Sequence, residues 1–252
     1  MIRRVAGPTR GGVPCAEVYT QVKRRFMRDY SDVQHPCGNC DFHDQSIWQP
    51  VSGAALPILN RGFDRLPLET SQILFEQGEE NSGVYCVSRG LIGIRSCQDD
   101  GKSTLLRLAY PGEIIGFRSF MAGQPHHTEA QALIPSRVCK VPRHSVRQIL
   151  NRSPEVLGRL ADRCIQEIDR SHAHIIAAAT RSNTERLSDL LGRLLQIHGR
   201  DCADGKRMYL PLSRIDLADL LGIRPETLSR VVARLLNDSA YSICGREVLL
   251  RG

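Results

Sequence analysis

The stretch Ile223–Asn237, IRPETLSRVVARLLN, decides how this chain is read. As a helix it has two unlike faces. Leu228, Val231, Val232 and Leu235 recur at i, i+3, i+4 and i+7, which makes one apolar stripe. Glu226, Ser229, Arg230 and Arg234 fall on the other side, with Thr227 beside them. Pro225 suits the first turn, where its missing N–H costs nothing. Just upstream, SRIDLADLLG (213–222) reads as a second, shorter helix. Ser213 and Asp216 form a variant capping box, Leu217, Leu220 and Leu221 form its buried edge, and Gly222 ends it. Helix, tight glycine turn, helix with a polar outer face is the helix-turn-helix pattern, whose second helix enters the major groove of double-stranded DNA.

Two amphipathic helices joined by a glycine also occur in domains that bind no DNA. The outer face here argues for binding, because it is a compact set of a carboxylate, hydroxyls and guanidinium groups rather than a run of solubilising charge. Arginine reads guanine bidentately, and a carboxylate accepts from cytosine N4. The formal net charge of +7 also favours a polyanionic partner.

The 252 residues suffice for one large or two modest domains with a proper core. No apolar run approaches eighteen residues, so no membrane partner is expected. The N-terminus, MIRRVAGPTRGGVP, is basic but lacks a following apolar core, which does not fit a secretory signal. Nine scattered cysteines in a chain this long suit working thiols in a cytoplasmic protein better than a secreted disulfide framework. There is no nucleophile elbow, P-loop, dinucleotide glycine motif or H-E-x-x-H, so the chain does not read as an enzyme.

Four segments follow along the chain, in an α+β organisation. Residues 1–50 are an irregular, cysteine-containing arm. In residues 51–152, short β-type runs alternate with turn glycines at roughly ten-residue spacing, which predicts an antiparallel barrel or sandwich. Residues 153–182 make one long helix after the start signal Ser153-Pro154-Glu155. Its Ala161, Cys164, Ile168, Ser171, Ile175 and Ala178 alternate at three and four, a weak seam suited to pairing two copies or to packing on the chain's own barrel. Residues 183–252 add another amphipathic helix, a short strand, the two helices above, and YSICGREVLLRG as a hairpin turning at Gly245-Arg246. That set is a winged helix-turn-helix.

Small barrel, long helix and winged helix-turn-helix, in that order, resemble the cyclic-AMP receptor protein / fumarate-nitrate-reduction regulator superfamily (CRP/FNR). The residues that carry the likeness are LADLLGI, PETLSRVVARLL, GVYCVSRGLIGI, LAYPGEIIGF and SRVCKVP, over about residues 55–252. The resemblance implies an N-terminal β-roll of the cupin-like jelly-roll kind as sensor, a dimerisation helix, a homodimer on an inverted repeat, and RNA polymerase as a partner. In the cyclic-nucleotide branch, a Gly-Glu pair and an Arg-Ser pair hold ribose and phosphate. Here those positions read Gly116-Phe117 and His126-His127-Thr128, without carboxylate or guanidinium, so no cyclic nucleotide is expected. The two histidines read as polar turn residues rather than metal ligands. Glu226, Ser229 and Arg230 match the Glu-x-x-Ser-Arg of the oxygen-sensing branch, which implies TTGAT-like half-sites.

That branch carries a 4Fe–4S cluster on three N-terminal cysteines and one from the barrel. Cys37-Gly38-Asn39-Cys40 resembles the C-x-x-C pair of the arm, and Cys139 in RVCKVP resembles the barrel ligand. The usual remaining position is Ser46, a weak, high-pKa donor. Cys15 is the favoured substitute, since a thiolate is the softer ligand. Asp41, His43 and Asp44 are alternatives, because mixed ligation of such clusters occurs. Zinc, a redox dithiol, another ligand or no cofactor at all remain open beside the cluster. Cys86, Cys97, Cys164, Cys202 and Cys244 are read as small buried hydrophobes where they lie in regular elements.

Overall fold

The inward/outward alternation of short strands expected in the middle of the chain is what the computed structural model contains; it describes residues 41–42, 46–238 and 240–252. After helix α1 (Leu56–Arg61) come β1 (Asp64–Leu68), β2 (Ile73–Phe75), β3 (Gly83–Arg89), β4 (Ile92–Cys97), β5 (Ser103–Ala109) and β6 (Ile114–Ile115). Helix α2 (Phe117–Ala122), β7 (Glu129–Ala132) and β8 (Ser136–Pro142) complete this part. The strands make two four-stranded antiparallel sheets, ordered β1-β8-β3-β6 and β2-β7-β4-β5. Tyr85 and Val87 on β3, with Ile92, Ala130 and Val138, fill the inner core of this β-roll. Val84 on β3 and Val141 on β8 point the other way, into a second core on the outer face of the first sheet. This is the two-residue period of a strand whose two faces are both covered. Gly90 sits at φ 94°, and a Cβ there would lie 2.2 Å from Ser136 Oγ, so this turn admits only glycine.

The second core is closed from outside by α1, by α3 (Arg143–Arg152), by the first turns of α4 (Glu155–Thr180), and by Ile47 and Trp48, each 2% exposed. The end of the expected arm is therefore part of the roll. A lone Ile-Trp pair has no periodicity of its own, and only the groove between helices and sheet shows where it goes. Strand β1 and helices α1, α2 and α3 were likewise not expected from the pattern, being short and framed by neighbours rather than by their own period.

Helix α4 runs nearly the length expected. Only Val156 and Leu160, in its first turns, are buried, and the rest extends past the roll. Helix α5 (Asn183–His198) begins with a complete capping box of Ser182 and Glu185. Then follow β9 (Arg200–Cys202), β10 (Gly205–Tyr209), α6 (Arg214–Leu221), α7 (Pro225–Asp238), β11 (Tyr241–Cys244) and β12 (Glu247–Arg251). The strands form a sheet ordered β11-β12-β10-β9. The expected wing is β11–β12, with Cys244 opposite Glu247 and Gly245 at φ 61° in the two-residue turn. Leu191, Leu195, Leu217, Leu228 and Leu235 of this C-terminal part share one core with Leu105, Leu108 and Tyr110 of the roll. Among the described residues, no helix is long and apolar enough to cross a membrane.

Candidate nucleic-acid interface and sensor face

The turn between α6 and α7 is set by Gly222, which adopts φ 62°. Its N–H donates to Asp219 O at 2.9 Å, and the N–H of Ile223 donates to Ala218 O at 3.0 Å. That double closure is a Schellman motif, and Ile223 tucks into the shared core as its apolar partner. The N-terminus of α6 is closed by the expected box: Ser213 Oγ accepts from the Asp216 N–H at 3.0 Å, and Asp216 Oδ2 accepts from the Ser213 N–H at 2.8 Å. No atom lies within 4 Å of a Cβ built on Gly222, so the cost of Gly222→Ala is purely backbone strain. It is expected to be about 1–2 kcal/mol, read as a fall in melting temperature of roughly 2–8 °C.

On α7, Leu228, Val231 and Leu235 are buried, whereas Glu226, Thr227, Ser229, Arg230 and Arg234 are exposed. Ser229 Oγ makes only a long bond to Pro225 O, at 3.5 Å. The polar face is thus open to a partner, and its spacing follows from the same 3.6-residue period that buries the apolar stripe. Arg214, at the start of α6, and Arg224, just before α7, are also exposed. Sequence reasoning did not single them out. In the wing, Arg246 folds back, donating from Nε to Leu210 O at 3.1 Å and stacking 5.2 Å over Tyr209.

The first helix of this pair is tied to the roll. Arg95 Nη2 on β4 meets Asp216 Oδ1 at 2.6 Å, with both side chains largely buried. Asp219 Oδ2 accepts from the Leu105 N–H of β5 at 2.9 Å. A second set of charges ties the roll to α4: Arg107 reaches Glu113 at 3.1 Å and Glu167 at 2.5 Å, and Arg170 reaches Glu113 at 3.0 Å. No sequence signal marked these pairs, because each joins residues dozens of positions apart.

The roll interior is filled where a cyclic phosphate would need room. His126 is 3% exposed and stacks on Phe75 at 3.8 Å between ring centroids, with Tyr85 at 6.3 Å. His126 is therefore not the polar turn residue expected; the turn carries it inward while His127 stays outside. Burial pushes its pKa below the ordinary histidine value against the pull of Glu79, so the ring is neutral. Phe117, in the position of the missing carboxylate, is buried in the second core.

Of the expected metal ligands, Cys15, Cys37, Cys40, His43 and Asp44 lie outside the described residues. Cys139 is on β8, 9% exposed and on the outer face of the first sheet. Asp41 is exposed. Ser46 uses its hydroxyl locally, where Oγ accepts from the Trp48 N–H at 3.2 Å. The chemistry of the donors at the described end fits a thiophilic group. Cys139 has Cys86 directly across from it on β3, and Phe42, two residues after Cys40, packs on Gly112 at the adjoining turn. Among the described residues, no three metal-binding side chains converge. The buried-hydrophobe reading of the remaining cysteines needs correction. Cys86, Cys97 and Cys164 are half-buried, and Cys202 and Cys244 are exposed, because their short strands lie at the edge of the C-terminal sheet or at the wing turn.

Along α4 the expected seam emerges as an open stripe. Ile168, Ile175 and Ile176 are each more than half exposed, Ala161, Ser171 and Ala178 are exposed, and Cys164 is half-buried against the second core. The alternative that this stripe packs on its own barrel is met only by Val156, Leu160 and Cys164.

Comparisons with known proteins agree with this architecture. The family model described as the cyclic nucleotide-binding domain matches residues 65–153, and that of the Crp-like helix-turn-helix domain matches residues 185–251. The chain is 24% identical over 233 residues to the "Regulatory protein HlyX" of Actinobacillus pleuropneumoniae, covering 89% of this chain and 97% of that one. It is 23% identical over 215 residues to the "Fumarate and nitrate reduction regulatory protein" of Vibrio cholerae, covering 85% and 86%. The structure of FixK2 from Bradyrhizobium japonicum shares the fold, with a TM-score of 0.63 at 24% identity over 75% of this chain and 93% of that chain. These relatives are regulators rather than enzymes. A nucleotide-binding-type roll followed by a Crp-like helix-turn-helix, in a chain matched along most of its length by such regulators, places this protein in the CRP/FNR family of DNA-binding transcription regulators.

Proposed function

We propose that the protein is a cytoplasmic, homodimeric transcription regulator that reads TTGAT-like inverted repeats and responds to oxygen or redox state. The observation that carries the DNA reading is the polar face of α7, where Glu226, Ser229 and Arg230 are exposed together above a buried apolar stripe. Arg230 donates to guanine O6 and N7, Glu226 accepts from cytosine N4 on the opposite strand, and Ser229, Thr227 and Arg234 flank them. Arg214 and Arg224 suit phosphate contacts, which position the helix without reading sequence. Two copies joined along the α4 stripe through Ala161, Cys164, Ile168, Ser171, Ile175 and Ala178 present their α7 helices about one DNA turn apart. RNA polymerase is the partner through which such a dimer acts as an activator.

Cys37, Cys40 and Cys139 are the residues that would hold a 4Fe–4S cluster, with Cys15 as the fourth candidate from the sequence. When bound, such a cluster supplies an oxygen-labile redox centre. Cys139 would anchor it on the sheet face beneath the first turns of α4, so occupancy there bears on the helix that carries the pairing stripe. A same-fold regulator using zinc, a dithiol, another ligand or no cofactor is the competing reading.

Arg230→Ala is expected to weaken binding to an inverted TTGAT site by about 1–3 kcal/mol and to relax discrimination at one base pair per half-site. Gel shifts over a salt series check this. An unchanged affinity and base preference would refute the assigned role. Comparing wild-type binding in air and under anaerobic conditions tests the sensing part, and equal affinity in both would remove it.

A further inference from the structure

Cys86 and Cys139 are direct register partners in the antiparallel β3·β8 pair. Directly opposed residues point to the same side of a sheet. Here that side is the outer one, shared with Val84 and Val141, since Tyr85, Val87 and Val138 fill the roll interior. Val87 spends its N–H on Glu113 O and its carbonyl on the Gly112 N–H, both at 2.9 Å and both towards β6. The backbone groups of the preceding residue, Cys86, therefore face β8, which makes Cys86–Cys139 a hydrogen-bonded pair with a Cα separation of about 5.5 Å. The Cβ atoms of such a pair are also about 5.5 Å apart. An unstrained disulfide needs Cβ atoms roughly 3.5–4.5 Å apart, so this spacing disfavours one. Two thiolates sharing a tetrahedral metal at bonds of about 2.3 Å have their sulfurs about 3.8 Å apart, a distance two side chains leaning together reach from that spacing.

The turn next to this pair receives the end of the arm. Phe42 packs on Gly112, whose N–H bonds Val87, the neighbour of Cys86. Two residues of chain separate Cys40 from Phe42, a reach of at most about 7 Å. Ser46 has its hydroxyl engaged with the Trp48 N–H. A thiol already fixed beside Cys139 needs no long excursion of the chain to become a ligand, whereas Cys15 lies 27 residues before Phe42.

We infer that Cys86 and Cys139 are a two-thiolate chelate for a thiophilic metal centre, and that Cys86, not Cys15 or Ser46, completes the ligand set. The inference rests on the sensor reading above for the identity of the other two thiolates. Iron in a cluster and zinc share this soft-donor chemistry. The chelate is independent of DNA contact, since both cysteines lie in the roll.

The test uses full-length wild type, Cys86→Val, Cys139→Ala and Cys15→Ala, reconstituted anaerobically with ferrous iron and sulfide. Iron and acid-labile sulfide are counted per chain, and metal-free samples are titrated with zinc. Thermal melts of the metal-free proteins show that Cys86→Val, an apolar replacement beside Val84 and Val141, folds. The expected result is a cluster in wild type and in Cys15→Ala, and loss of most of the iron in Cys86→Val as in Cys139→Ala. Zinc bound by wild type but lost in Cys86→Val, without iron uptake, supports the chelate and overturns the cluster. Wild-type iron and zinc content in Cys86→Val overturns the inference while leaving the sensor reading intact. Wild-type protein that takes up neither metal overturns both.

Discussion

Replacing Asp216 by alanine will destabilise the protein by about 3–5 kcal/mol, because it strands a buried guanidinium. The Arg95 and Asp216 side chains are 14% and 10% exposed and meet at 2.6 Å. Arg95 retains only the bond from Nε to Gln131 Oε1, at 3.2 Å. The same substitution deletes the carboxylate that caps the Ser213 N–H. Denaturant unfolding measures the loss, and a double-mutant cycle with Arg95→Ala isolates the pair. Strict additivity of the two single changes would show that the pair contributes nothing of its own. DNA affinity is expected to fall as well, since α6 and α7 share the core through which Asp216 and Asp219 hold α6 to the roll.

The pair also gives an acid limb to stability. Burial acts to raise the Asp216 pKa, but the hydrogen bonds from Ser213 and the Arg95 guanidinium outweigh it and hold the carboxyl below the ordinary aspartate value of 3.8. A lowered folded-state pKa means the contribution is complete above that ordinary value. It is lost as pH falls below it and through the folded value. Asp216→Asn is expected to flatten this limb between wild type and variant, read as the pH dependence of the unfolding midpoint.

Trp48→Ala is the second large effect, with an expected cost of about 3–5 kcal/mol from lost burial and an unfilled cavity. Trp48 is 2% exposed, wedged with Ile47 against the core that also holds Val84, Val141 and Leu160. Its Nε1 is buried without a hydrogen-bond partner among the described residues. Trp48→Phe should therefore cost much less, because it keeps most of the apolar volume and removes an unsatisfied donor. The chain has a single tryptophan, so its fluorescence follows this core during unfolding of the wild type. Circular dichroism compares the variants. Equal stability of Trp48→Ala and wild type would mean that residues 46–51 are not part of the folded core.

Much of this molecule is legible in its sequence for a local reason. The α7 face, the Ser213–Asp216 box, the Gly222 turn and the Gly245 hairpin each depend on residues within about one or two turns of one another. Side-chain period and φ preference alone therefore specify them. The strand runs of the roll are legible too, since alternation and turn glycines are local signals. What the tertiary structure decided is which distant residues meet. Ile47 and Trp48 enter the core, His126 turns inward onto Phe75, Arg95 finds Asp216, and Cys86 comes to lie opposite Cys139. None of these follows from spacing, because strand register and the docking of one domain on another are set by how whole faces bury together. The recognition surface was accordingly readable from a single helix. The thiol pair that completes the proposed sensor became visible only once β3 and β8 were laid side by side.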